Sequence, residues 1–332
     1  MLGKRIGIDL GTASIRLLAK GEGMIASEPA VVAMRDGEAA GSTFGAAALE
    51  HADDDRHLEL HRPIAGGAVV DPAALRVLIS HAIARAVGRQ RIFKPDAVIA
   101  VMSAMSGDDR RAVLEAATLA GARTVYLLDA PIAAAMGTGM VLRGANGHLV
   151  IDVGAGKTEI AVLALEGTIA GECLAGHGGA RLAAAVTDHV RREHGITLRA
   201  AQAEDIIASL ARVGVHEERR LDVHSRVDSR DVSVSITSTE LAGCLDDHVR
   251  PIVAALDRVF ADTPAALRDD IVREGGVLCG GGAQLEGLGV SLSGAAGFEV
   301  RSDASPQLCA VRGTGHALDN LDVLKRTFMY IR

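Results

Sequence analysis

Two Asp-x-Gly turns, far apart in the chain but flanked alike, constrain the fold more than any other feature. The first lies in IGIDLGTASIRLLA (Ile6–Ala19) and the second in LVIDVGAGKTEIAVLA (Leu149–Ala164). Asp9 matches Asp152 and Gly11 matches Gly154 at the same offset along the chain. Each copy runs from apolar residues through Asp-apolar-Gly and a small polar turn into a second apolar run, a strand–turn–strand pattern. Gly154 and Gly156 carry no Cβ, so backbone N–H groups there can close around a phosphate without steric cost. A carboxylate at the strand end, Asp152, stands where it can hold a hydrated metal or orient a water. One such hairpin is a weak signal, because Asp-Gly punctuation usually marks only a turn. A copy in each half predicts two related halves that grip a phosphate tail from both sides.

Composition narrows the class. The 332 residues suit about two domains, and 48% hydrophobic content supplies sizeable cores. Trp is absent and aromatics make up 2%, so stacking platforms for bases are scarce. A net charge of −7 also argues against nucleic acid as a partner. Cys173, Cys244, Cys279 and Cys309 are widely spaced without a CxxC pair, which predicts free thiols in a reducing compartment. Asp9 interrupts the first apolar run too early for a signal peptide, and no apolar stretch reaches membrane-span length. The expectation is a cytoplasmic protein.

Along the chain, 35–55 reads as a polar connection and His61–Asp71 as a loop with a strand end. Apolar residues at three- and four-residue steps predict a helix over 72–88, and Ser106 with Asp108 and Asp109 opens another to about Ala120. Between them, GRQRIFKPD sets Ile92 and Phe93 among Arg85, Arg89, Arg91 and Lys94. That is either a solvated loop with one aromatic packed down or an apolar wedge touching a membrane, with cations on headgroups. Asn146-Gly147 reads as a turn between the halves, 238–260 as a helix kinked at Pro251, and VRGTGHALDNL as a Gly turn feeding a helix. Gly280–Gly282 follow a short strand and allow close backbone approach to a flat or anionic ligand, or form only a tight strand–helix turn. Strands alternating with helices give an α/β class.

The ordered set IDLGTAS, IDVGAGKTE and CGGGAQLEGL resembles the actin/heat-shock-ATPase/sugar-kinase superfamily, and more narrowly bacterial actins of the MreB type. SEPAVVAM, RPIAGGAVVD, RIFKPDAVIAV, DDRRAVLEAATLAGARTVYL, PIAAAMGTGM and VRGTGHALDNLDVLKR carry the likeness nearly end to end. It implies an actin-like ATPase fold, two α/β halves around a nucleotide cleft, each with a small subdomain. The halves are expected at 1–145, with a subdomain about 32–60, and 146–332, with a subdomain about 180–240. It also implies ATP as cofactor, with Mg²⁺ held through water by Asp9. Gly11, Thr12 and Ala13 would form the first phosphate loop, and Gly154, Ala155 and Gly156 the second, supported by Thr158. Gly178, Gly179, Glu204 and Gly280, Gly281 and Gly282 would line the rest of the nucleotide. Ile92 and Phe93 fall where some relatives touch lipid. The partners implied are further copies in a filament, the inner face of the membrane and the wall-elongation machinery that sets cell shape.

The departures from the pattern concern hydrolysis. The family usually has Glu-Glu-Pro before the small-residue helix, the second Glu orienting the attacking water. Here the stretch is Asp129-Ala130-Pro131, and Ala offers no acceptor for a water proton. Gly178-Gly179-Ala180-Arg181 replaces Gly-Gly-Asp-Glu, and Ile207 replaces a Lys expected to reach the base. Lys157 stands where Thr is usual, adding charge beside the phosphates or pointing to solvent. The expectation is retained nucleotide binding with slow or absent hydrolysis, Asp152 being the one remaining candidate catalytic carboxylate. A non-polymerising or nucleotide-independent scaffold is the alternative.

Overall fold

A computed structural model describes residues 3–35, 38–54, 57–88, 93–142, 144–214, 217–227, 230–319 and 330–331. Packing divides the chain into two compact units. One comprises Met1–Ala145, Leu163–Thr168 and Leu308–Arg332, the other Asn146–Val162 and Ile169–Gln307.

The first unit opens with an antiparallel meander of β1 (Arg5–Leu10), β2 (Ser14–Ala19) and β3 (Gly23–Pro29). Alternate side chains of β2 are buried, as expected for a strand with one face on the core. A small sheet of β4 (Val32–Arg35), β5 (Glu38–Phe44) and β6 (Glu59–His61) follows, with α1 (Ala46–Asp54) inserted. The stretch read as a polar connection therefore holds a strand and a helix. Ala48 at 0% exposure packs with Val31 and Ala33 and gives that helix its apolar anchor. The short strands β7 (Ile64–Ala65) and β8 (Ala68–Val69) lead to α2 (Pro72–Val87). Asp71 caps α2 by accepting from the Ala74 N–H at 2.9 Å, Pro72 pre-sets its first turn, and Gly88 ends it at φ 69°.

Next come β9 (Asp96–Val101), α3 (Gly107–Leu119), β10 (Thr124–Asp129) and α4 (Ala130–Gly137). Ser106 caps α3 through the Asp109 N–H, with Asp108 and Asp109 complementing the helix dipole. β9 is buried at every position, as a strand paired in parallel on both sides must be.

The second unit repeats the plan. β11 (His148–Val153), β12 (Lys157–Ala164) and β13 (Gly167–Ala175) lie side by side. They are followed by α5 (Gly179–His194), α6 (Ala200–Leu210), the hairpin β14 (Arg220–Val227) and β15 (Arg230–Thr237), and α7 (Ala242–Asp262) with Pro251 inside it. Then come α8 (Ala265–Glu274), β16 (Gly276–Cys279), a 3₁₀ turn Gly281–Gln284, α9 (Leu288–Ala296) and β17 (Val300–Ser302). Gly280–Gly282 thus enter a tight 3₁₀ turn rather than an α-helix. The strand order is β13-β12-β11-β16-β17, with β16 parallel to both β11 and β17. In the first unit the corresponding order is β3-β2-β1-β9-β10. Each unit is therefore a meander beside parallel strands, the architecture that the duplicated hairpin predicts.

The chain ends in α10 (Cys309–Ala317) and β18 (Tyr330–Ile331), which pairs with β10 in the first unit. The half expected to run from 146 to the terminus thus gives up its last segment to the first unit. Of the stretch read as a Gly turn feeding a helix, Val311–Ala317 is itself helical. Its glycines serve packing: a Cβ on Gly313 would overlap the Ala133 carbonyl of α4, and one on Gly137 would overlap the Cys309 carbonyl. α4 and α10 cross backbone to backbone, which only small residues allow.

Candidate functional site

In the first unit, the Asp9 hairpin closes with the Gly11 N–H donating to the Ser14 carbonyl at 3.1 Å. A Cβ on Gly11 would lie 2.8 Å from that oxygen, so the turn requires glycine. Asp9 faces Arg16 across the register, and Arg16 Nη1 lies 3.1 Å from Asp9 Oδ2. The Asp9 side chain is 14% exposed. Thr12 and Ala13 complete the turn, and the Ala13 carbonyl accepts from Ala30 N–H at 2.9 Å.

In the second unit the same closure recurs at the matching residues: the Gly154 N–H donates to the Lys157 carbonyl at 2.9 Å. Two further glycine segments converge on this turn. The Gly179 N–H donates to the Gly154 carbonyl and the Ala180 N–H to the Ala155 carbonyl, both at 2.9 Å. A Cβ on Gly178 would fall 2.5 Å from the Gly154 oxygen and 2.6 Å from that of Ala155. Gly280, at φ 82°, would place one 2.5 Å from Asp152 Oδ1, and Gly282 one 3.0 Å from the Val153 oxygen. Gly281 has open space where a Cβ would go. Buried Thr158 donates to the His177 carbonyl at 2.7 Å, tying β12 to the residue before Gly178. Asp152, Gly154, Ala155, Gly156, Thr158, Gly178, Gly179 and Gly280–Gly282 therefore form one backbone-lined assembly. Such clustered glycine backbone is what close approach of an anionic ligand requires.

Lys157 does not point to solvent. Its ammonium donates to Asp152 Oδ2 at 2.7 Å and bonds Glu159 Oε2, and its side chain is 14% exposed. Burial pulls this ammonium down, but the Asp152 and Glu159 carboxylates outweigh that pull and lift it above the ordinary lysine range.

Glu204 is on the exposed face of α6, and no described hydrogen bond or ion pair joins it to the glycine segments. Ile207 packs on the apolar cluster of Leu182, Val186, Ile206 and Leu245, so the position where a Lys is usual faces the core. Arg181 begins α5, whose first turn holds no acid. In the first unit, Ala130 is buried at the start of α4, and Asp129 Oδ1 accepts from Arg110 at 2.7 Å. Ile92 lies outside the described residues, while Phe93 is 48% exposed.

Residues the sequence reading missed are Arg110 and the stacked pair His177 and His248, whose ring centroids are 5.0 Å apart. His177 Nε2 lies 2.8 Å from the His248 carbonyl. The only sequence signal for this pair was a His directly before the paired glycines.

Among the described residues no group of three or more His, Cys, Asp or Glu side chains is placed to hold a metal ion. Asp9 and Asp152 each already face a side-chain cation. The protein donors alone do not make a resident metal site, and Mg²⁺ fits here only as an ion that arrives with phosphate oxygens. No described helix is long and apolar enough to cross a membrane.

Comparison with known proteins places these features. Residues 3–326 match the model of the MreB/Mbl protein family. The chain is 32% identical over 334 residues to the cell shape-determining protein MreB of Escherichia coli K12, covering 97% of this chain and 95% of that protein. It is 30% identical over 330 residues to the cell shape-determining protein Mbl of Bacillus subtilis 168, covering 98% and 99%. Its fold superposes with a TM-score of 0.89 on the crystal structure of MreB 5 of Spiroplasma citri bound to AMPPNP, at 23% identity over 98% of this chain and 99% of that one. The MamK double helical filament follows at 0.81 and 17% identity, over 95% and 98%. The duplicated hairpins, the matched strand orders and these likenesses agree: the chain has the actin-like fold and belongs to the MreB/Mbl family of cell shape-determining proteins.

Proposed function

We propose that this protein is a cytoskeletal filament subunit that binds ATP through its Asp-Gly hairpins and hydrolyses it slowly or not at all. The observation that carries this reading is the convergence of Gly178, Gly280 and Gly282 on the Asp152–Gly156 turn, with backbone contacts that a Cβ would prevent. Bare backbone N–H groups suit phosphate oxygens. Asp9 would hold Mg²⁺ through water, and the ion would neutralise phosphate charge there. The family relationship supports assembly into filaments of identical subunits, a head-to-tail contact that propagates rather than closes.

Slow turnover is supported by the loss of acceptors. Ala130 has none, and Asp129 is engaged by Arg110. A water-positioning group is worth orders of magnitude in such reactions.

In the same reading the filament lies at the inner face of the cytoplasmic membrane, where it organises the wall-elongation machinery. Phe93, 48% exposed, supports this. It lines an open groove with Ile83, Val87, Lys94 and Leu119, an apolar tip beside a cation.

High-speed pelleting of purified protein with ATP and Mg²⁺ tests the reading. Wild type is expected in the pellet, and Gly280→Ala in the supernatant. Wild type left in the supernatant under every nucleotide condition contradicts a polymer and favours the alternative, a non-polymerising or nucleotide-independent scaffold. The specific feature on that side is the pairing of exposed Glu204 with core-facing Ile207, which leaves the base-binding pattern incomplete.

A further inference from the structure

The pairing of the Asp152, Lys157 and Glu159 side chains goes beyond the reading above, which uses only the backbone of the Asp152–Gly156 turn. Asp152 is the last residue but one of β11, Lys157 and Glu159 both lie in β12, and the Lys157 ammonium bonds both carboxylates. The three side chains are 11%, 14% and 1% exposed. An exposed lysine pair contributes little, but a desolvated one persists, because breaking it strands a buried charge. Asp152 Oδ2 accepts from Lys157, and Oδ1 lies where a Cβ on residue 280 would meet it, a space that Gly280 leaves open.

The geometry points to Lys157 as an internal cation that withdraws Asp152 from chemistry, so that a nucleotide in this site is held without being hydrolysed. This rests on the nucleotide reading above. Hydrolysis joins a water oxygen to the γ-phosphorus, breaks the bridging P–O bond and hands the water's proton to an acceptor. An Asp152 committed to an ammonium is a poor acceptor and a poor metal ligand. Lys157 is thus a positioning residue. It supplies inside the fold the positive charge that this carboxylate pair would otherwise draw from solution.

The test compares wild type, Lys157→Thr and Lys157→Arg, each with and without Ala130→Glu. Phosphate release from ATP, binding of a fluorescent ATP analogue, and melting in Mg²⁺ or EDTA are measured on the full chain. Lys157→Thr is expected to melt higher in Mg²⁺ than in EDTA, because Asp152, released from the ammonium, then collects the ion. Wild type and Lys157→Arg should show no such difference. Ala130→Glu with Lys157→Thr is expected to release phosphate at least about 10-fold faster than Ala130→Glu alone. If Lys157→Thr does not fold, Lys157→Thr/Glu159→Gln, which removes one charge of each sign, takes its place in the phosphate-release comparison. A rate for Ala130→Glu alone equal to that of the double variant overturns the proposal, as does a Mg²⁺-indifferent Lys157→Thr. Absence of analogue binding in every variant overturns the nucleotide reading instead, and the melting contrast is then judged separately.

Discussion

Arg110 Nη2 lies 2.7 Å from Asp129 Oδ1, and the same guanidinium also donates to the carbonyls of Met102, Ser103 and Met105. Asp129 precedes Ala130, the position at which the family resemblance implies a water-orienting acid. Its carboxylate instead anchors an arginine that holds the 102–105 loop. Asp129→Asn is therefore expected to leave phosphate release unchanged, while Arg110→Ala lowers stability by about 2–3 kcal/mol through lost charge-assisted hydrogen bonds. Chemical denaturation and a phosphate assay on the two variants check this. A large fall in turnover for Asp129→Asn would return that residue to the chemistry.

Gly280 and Gly281 are adjacent but unequal. Gly280 sits at φ 82° with no room for a Cβ, whereas Gly281 faces open space. Gly280→Ala should cost roughly 1–3 kcal/mol from backbone strain alone, with further cost from overlap, and abolish nucleotide binding. Gly281→Ala should melt like wild type. If it nonetheless weakens ATP binding, the nucleotide passes directly over that residue.

His248 is buried beside His177 and has an unpartnered Nδ1. Burial, then His177 and Arg181, push its imidazole down to about 4. The unfolded chain, with an ordinary histidine near 6.5, binds the proton first. Stability is therefore full above that value and is lost as pH falls toward 4, by roughly 3 kcal/mol in all. His248→Phe, which keeps a ring in the stack, should flatten the pH dependence of unfolding between those values. An unchanged acid limb would contradict the assignment.

Phe93 and Ile92 carry the membrane part of the account. Replacing both with serine is expected to reduce co-sedimentation with anionic vesicles several-fold without changing the melting temperature. Equal sedimentation of variant and wild type would remove lipid contact at this loop.

The legible part of the fold was what local pattern encodes. The matched Asp9 and Asp152 hairpins, the helix from Pro72 and the Ser106 cap all follow from residue type and spacing. What stayed hidden depended on contacts distant in sequence. Gly313 reads as a turn residue until α4 is known to lie against it. Lys157 reads as a charge either beside the phosphates or toward solvent until its ammonium is seen between Asp152 and Glu159. In the site, the glycines were visible because each carries a backbone requirement, whereas the role of Arg110 was not. A guanidinium that bonds mainly to carbonyls leaves no mark in the sequence.

The central claim, a member of the MreB/Mbl family that holds ATP without consuming it, is tested most directly by calorimetric titration of ATP into the purified chain with Mg²⁺, with Asp9→Ala as control. The account predicts a saturating heat of binding in wild type, its loss in Asp9→Ala, and a flat baseline after saturation. No binding heat, or a sustained heat of turnover once the site is full, would contradict it.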